Sequence, residues 1–171
     1  ETGAVAALAS SSVTPNRVVS WSSETGDRVR SHASAERVPP SELSELTPVS
    51  WTSTSDGNDI EIYGNYYPPS NPDFTSEGKP PAMVMIHGGP TGQRTARFEP
   101  AHQFFATRGF AVLDVDYRGS TGYGREYRDA LYGKWGVYDV EDAVSGARFL
   151  ADEGLADPDR IVIMGGSAGG Y

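Results

Sequence analysis

The sequence predicts an α/β fold, a mostly parallel sheet with helices on both faces, in the part of the chain beyond residue 80. Two observations carry this. Three runs of near-unbroken apolar and β-branched residues, 82–86, 110–115 and 161–164, read as strands buried on both sides. Between them lie two segments with helical spacing, residues 98–108 and 137–152, and strands alternating with helices are the pattern of a parallel sheet.

Ahead of the sheet the chain is rich in Ser, Thr, Pro and Gly, with short β-type runs at 17–21, 60–63 and 65–67. Glu-Thr-Gly occurs twice, at residues 1–3 and 24–26, each where a hairpin turn would join two short strands with Gly at positive φ. A repeated β unit and coincidence both account for the pair. Residues 38–48 read as a linker with Pro at both ends, and the prolines of 68–72 and 79–81 bracket a second loop. In the first helix Phe98, Ala101, Phe104 and Phe105 share a face, His102 points to solvent or its edge, and Gly109 is the stop. In the second, Val140, Val144, Ala147 and Ala151 recur at helical spacing, and Asp139 sits in the first turn, where a carboxylate favours the helix dipole. Asp157-Pro158-Asp159 is a turn into the third strand.

Composition removes several classes of function. The formal charge of -9 over 171 residues is spread along the chain with no basic block, and an even acidic field repels phosphate backbones, so no nucleic-acid partner is expected. Zero cysteines exclude a disulfide scaffold, a thiolate nucleophile and Cys-ligated metals, while leaving the compartment open. No apolar run approaches the ~18 residues of a membrane span, so no membrane partner is expected. The Ala-rich stretch 3–9 ends like a signal-peptidase site but lacks a start Met, a basic n-region and the length of an h-region. No two histidines stand at metal-ligand spacing, and neither metal nor cofactor is expected.

The third strand runs straight into Gly165-Gly166-Ser167-Ala168-Gly169, which fits G-x-S-x-G with the preceding strand that motif requires. A nucleophilic serine needs a tight, strained turn so that its hydroxyl stands above the sheet, and glycines two positions to either side remove colliding side chains. Ser167 is then the candidate nucleophile, and the Ala168 N–H points where an oxyanion develops. A glycine-rich, phosphate-binding loop of a dinucleotide fold is the competing reading, but such a strand usually opens its domain, whereas two strand–helix units precede this one. His87-Gly88-Gly89-Pro90, at the end of the first strand, supplies what an oxyanion turn needs. Its small glycines let a carbonyl approach the backbone, and a Gly88 or Gly89 N–H becomes the second donor. Both halves of an oxyanion hole occurring in this order point to a serine hydrolase of the α/β-hydrolase fold. Asp116 to Gly124 closes the second strand with glycines and tyrosines that could line a cleft, and Arg118 is read as a structural clamp on Asp116 or another carboxylate. None of His32, His87 and His102 follows the nucleophile, so none serves as the general base in the order Ser…Asp/Glu…His.

Taken together, His87-Gly88-Gly89-Pro90, Asp116-Tyr117-Arg118-Gly119-Ser120, Gly122-Tyr123-Gly124, Trp135-Gly136 with Asp139 and Asp142, and Gly165 to Tyr171 resemble the prolyl oligopeptidase family of serine peptidases. The His-Gly-Gly-Pro form is similar to its acylaminoacyl-peptidase and dipeptidyl-aminopeptidase branch. In the prolyl oligopeptidase and dipeptidyl peptidase IV branches a Tyr stands at the place of His87 and donates its hydroxyl to the oxyanion, a role not carried over here. The resemblance covers roughly residues 45–171. It implies Ser167 as nucleophile, oxyanion donors at Ala168 and in the Gly88-Gly89 turn, and short peptides as substrates. It also implies that residues 1–44 are the end of a β-propeller-like domain with its linker, and 45–171 the N-terminal portion of the catalytic domain. A carboxylesterase is the nearest alternative, against which the missing third glycine after Gly89 speaks. A dinucleotide-binding oxidoreductase and a non-catalytic binding module are the alternatives from other classes. A chain that opens without Met and stops just past a strand reads as a fragment, with the triad acid and base beyond Tyr171. By itself it is expected to be inactive on activated esters, partly ordered and prone to aggregate through a bare sheet edge.

Overall fold

The structure, a computed structural model, describes residues 3–171. Its first layer is a three-stranded antiparallel sheet of β1 (Val5–Ser11), β2 (Thr14–Ser22) and β3 (Gly26–His32), in sequential order. The second Glu-Thr-Gly does form the β2–β3 turn: Ser22 pairs with Gly26, whose φ is 64°. For the first, Glu1 and Thr2 lie outside the described residues. Val5, Leu8 and Trp21 on this sheet are exposed.

The second sheet has five strands, β4 (Thr47–Ser55), β5 (Asn58–Tyr67), β6 (Ala82–Ile86), β7 (Ala111–Asp116) and β8 (Ile161–Gly165), in the order β4-β5-β7-β6-β8. The expectation of a mostly parallel sheet is corrected here. β6 pairs in parallel with β7 and β8, but β5 pairs antiparallel with both β4 and β7, so the sheet is mixed. The linker read over 38–48 ends early, because Thr47 and Pro48 already pair with Tyr66 and Asn65.

Three helices follow: α1 (Pro100–Ala106), α2 (Arg125–Asp129) and α3 (Tyr138–Asp152). Strand alternation sends Ala82, Val84, Ile86, Leu113 and Val115 to one face, where they pack with Trp51, Ile62 and Leu150 of α3. Met83, Met85 and Val112 go to the other face, with Tyr67 and Ala106 of α1. Both helices present a different face from the one their apolar spacing suggests. In α1 the buried residues are His102, Gln103 and Ala106, and Phe104 is exposed, because the polar pair has partners in the core. The Gln103 side-chain amide donates to the Ser12 and Ser44 carbonyls at 3.0 and 2.8 Å, tying α1 to the first sheet and the linker. In α3, Asp142, Ala143, Gly146 and Leu150 are buried while Val140 and Val144 are exposed. β8, read as buried, is the sheet's edge, and Val162, Ile163 and Met164 are about half exposed for want of an element packed on them among the described residues.

Candidate active site

The site lies where β6 and β8, adjacent and parallel, both end. β8 leads through Gly166 into Ser167, which holds a φ of 56°, a left-handed conformation strained for a residue with a Cβ. The flanking glycines are sterically required. A Cβ at Gly165 would collide with the Gly169 carbonyl oxygen, and one at Gly169 with that of Ile86. This is the tight turn that G-x-S-x-G demands, and it leaves Ser167 exposed with its hydroxyl unpartnered among the described residues.

The turn after β6 abuts it. A Cβ at Gly88 would lie 3.1 Å from Ser167 Cβ and 3.7 Å from Ser167 Oγ, so only a glycine backbone comes this close to the serine. Among the described residues, the Gly88 and Gly89 N–H groups donate to no protein acceptor. Ser167, Ala168, Gly88 and Gly89 are thus brought together at the carboxyl ends of neighbouring strands. Beside them an apolar cavity of about 190 Å³ opens between Ile86, Tyr117, Val144, Ile163, Ala168 and Tyr171.

The strand-end loops carry a buried polar frame around the turn. His87, 5% exposed, lies with Nδ1 2.9 Å from the Gly88 carbonyl oxygen and Nε2 2.7 Å from Ser120 Oγ. Its ring stacks on Tyr117, whose hydroxyl donates to the carbonyls of His87 and Pro90 at 3.1 and 3.0 Å. Asp116, fully buried 3.6 Å from His87, accepts from the Arg94 N–H and the Tyr123 hydroxyl, both at 2.8 Å. Burial pushes the His87 imidazole down and the Asp116 carboxyl up, each toward its neutral form.

The Asp116–Gly124 segment both lines the cavity, through Tyr117, and is braced from outside, since the hydroxyl of the buried Tyr127 of α2 donates to the Asp116 carbonyl at 2.7 Å. Arg118 clamps another carboxylate, as read. Its guanidinium meets Asp142 at 2.7 and 2.9 Å and stacks on Tyr138. Burial pushes the Asp142 carboxyl up, and the bonds from Arg118 pull it back.

The histidines are all engaged elsewhere. His32, the last residue of β3, pairs with Glu36, His87 holds the turn through the Gly88 carbonyl, and His102 is buried rather than solvent-facing, 2.8 Å from Asp114. Among the described residues no three His, Cys, Asp or Glu side chains converge on a metal site, and no helix is long and apolar enough to cross a membrane. Sequence reading missed the Tyr117 hydroxyl and Asp142 as parts of this frame. For Tyr117 the signal was the Asp-Tyr-Arg-Gly-Ser run itself, which ends a buried strand and so sends polar side chains into the core; for Asp142, on α3, it was Arg118, read as a clamp on a carboxylate.

Residues 96–171 match the prolyl oligopeptidase family. Over 107 residues, 60% of its length, the chain is 35% identical to dipeptidyl aminopeptidase BIII of Pseudoxanthomonas mexicana, of which it covers 16%. The fold superposes on a puromycin-hydrolyzing peptidase of Mycobacterium tuberculosis with a TM-score of 0.85 and 37% identity, over 98% of this chain and 25% of that one. An acylaminoacyl peptidase of Pyrococcus horikoshii aligns over 98% of this chain and 26% of its own, at a TM-score of 0.76 and 27% identity. The chain thus spans about a sixth of that curated relative and about a quarter of those solved structures.

Proposed function

Because the chain belongs to the prolyl oligopeptidase family, we propose that it carries the nucleophile and the oxyanion hole of a serine peptidase acting on short peptides. The observation that carries this reading is the meeting of Ser167, at positive φ, with the Gly88 backbone, so close that a Cβ on Gly88 would stand 3.1 Å from that of Ser167. In this reading Ser167 Oγ attacks the scissile carbonyl and its proton passes to a histidine base and on to the leaving amine. The carbonyl oxygen, negative in the tetrahedral intermediate, is held by the Ala168 N–H and by an N–H of the Gly88-Gly89 turn. Water then releases the acyl group from Ser167. The histidine and the carboxylate that orients it follow Tyr171 in chain order, since each of the three histidines present is committed to other partners. Short peptides are favoured as substrates by the names of the relatives, which include dipeptidyl aminopeptidase and acylaminoacyl peptidase. We assign residues 1–44, with the antiparallel sheet β1–β3, to the end of a propeller-like domain and 45–171 to the catalytic one.

The test is Ser167→Ala in the full-length enzyme. Hydrolysis of a peptide p-nitroanilide is expected to fall by about 10⁴-fold or more with folding unchanged. Retained turnover would exclude Ser167 as the nucleophile. Turnover of p-nitrophenyl esters with none of the anilide would redirect the reading to a carboxylesterase.

A further inference from the structure

Each candidate donor of the turn shares a rigid peptide plane with a carbonyl. The Gly88 N–H belongs to the His87 carbonyl, and the Gly89 N–H to the Gly88 carbonyl. Because the peptide unit is planar and trans, fixing the oxygen of one of these units fixes the direction of its N–H on the opposite side. In this turn each oxygen is held by its own buried side chain. The Tyr117 hydroxyl, from a residue 1% exposed, donates to the His87 carbonyl at 3.1 Å and reaches the Pro90 carbonyl at 3.0 Å, spanning both ends of the glycine pair. The His87 ring lies 2.9 Å from the Gly88 carbonyl oxygen through Nδ1; a carbonyl only accepts, so Nδ1 carries the proton. With the proton on Nδ1, Nε2 of the neutral ring accepts from the Ser120 hydroxyl at 2.7 Å, which fixes the ring from behind. The Tyr117 and His87 rings stack with centroids 4.5 Å apart, so the two anchors brace each other. Two adjacent glycines have the widest conformational freedom of any dipeptide, and without these anchors the N–H vectors would wander.

We propose that Tyr117 and His87 are positioning residues that aim the Gly88 and Gly89 N–H groups at the oxyanion, acting on the transition state without touching substrate. This rests on the reading of the turn as half of the oxyanion hole. Preorganised donors matter because reorienting them during the reaction costs activation free energy. Tyr117→Phe deletes only the hydroxyl and keeps the stack on His87.

In the full-length enzyme, Tyr117→Phe is expected to lower kcat on a peptide p-nitroanilide by about 10- to 100-fold, with KM changed less than about two-fold. A peptide aldehyde places its hemiacetal oxygen in the hole, so its affinity should fall by the same factor, while affinity for the product peptide acid stays level. His87→Ala should lose a similar factor in kcat. His87→Asn, whose side-chain amide can stand in for the Nδ1 donor, should recover most of it. Unchanged kcat and aldehyde affinity in Tyr117→Phe, or a loss confined to KM, would overturn the proposal. Should Tyr117→Phe fail to fold, equal activities of the His87→Ala and His87→Asn variants would overturn it instead. Failure of the underlying reading looks different, because Ser167→Ala would then keep its activity.

Discussion

The two faces of the five-stranded sheet are built from the same strands and do different work. On β7 they alternate residue by residue: Ala111, Leu113 and Val115 face α3, while Val112, Asp114 and Asp116 face the side of α1. The α3 side is an apolar core around Trp51, Ile62, Val84 and Leu150, interrupted where the buried Asp142 of α3 takes Arg118. The α1 side is apolar only at its base, around Met83, Met85 and Tyr67. Toward the strand ends it turns polar, with Asp114 bonded to His102 at 2.8 Å and Asp116 beside His87 and the Arg94 backbone. Burying carboxylates costs free energy that hydrogen bonds only offset, so this side adds little to stability. What it supplies is geometry. Directional bonds fix the loops at the carboxyl ends of β6 and β7, where the glycine turn meets Ser167, and non-directional apolar contacts could not do so.

The largest effect expected from breaking this division is on the apolar side. Leu113→Ala, at a fully buried position, should cost about 3 kcal/mol of stability in the full-length enzyme, read from the urea midpoint. The kcat per folded molecule should stay near wild type. A large loss of kcat with little loss of stability would mean that the apolar face also sets the site's geometry.

A smaller effect belongs to the polar side and depends on pH. Burial lowers the His87 imidazole below its ordinary value, partly countered by the Gly88 carbonyl and Asp116. The groups facing it are Asp116, Ser120, Tyr117 and the Gly88 carbonyl, with Arg94 and Asp114 near by. The unfolded chain therefore takes up this proton first, so His87's contribution is intact above the unfolded value and is lost as pH falls below it. Asp116 and Asp142, pushed up by burial, have the opposite slope nearer the carboxylate range. Between about pH 7.5 and 5.5 the stability of the wild type should fall more than that of His87→Asn, followed by thermal melts. Parallel pH profiles for the two would contradict a neutral, buried His87.

The parts of the fold legible in the sequence are those where one residue type suffices. Residues 82–86 are an unbroken apolar run and 110–115 one interrupted only at Asp114, and both are strands within a residue of where they were read. The Gly165-Gly166-Ser167-Ala168-Gly169 turn was legible because steric exclusion at Gly165 and Gly169 is local. β4 was missed: its inward residues include Ser53 and Ser55, which are small and hydroxylic, leaving Trp51 as the one large apolar marker. The faces of α1 and α3 were misplaced for the same reason. His102, Gln103 and Asp142 are polar by type and buried because of partners distant in sequence, Asp114, Ser44 and Arg118. The frame of the Gly88-Gly89 turn was illegible in the same way, since Tyr117 stands 30 residues from the His87 carbonyl it holds.

The most direct measurement on the central claim is to treat the full-length enzyme with a fluorophosphonate, which reacts with an activated serine, and to map the adduct by mass spectrometry. The account predicts stoichiometric modification of Ser167, slowed in Tyr117→Phe, where the phosphoryl oxygen meets misaimed donors. Modification at another serine, or none in an enzyme that hydrolyses peptides, would contradict it.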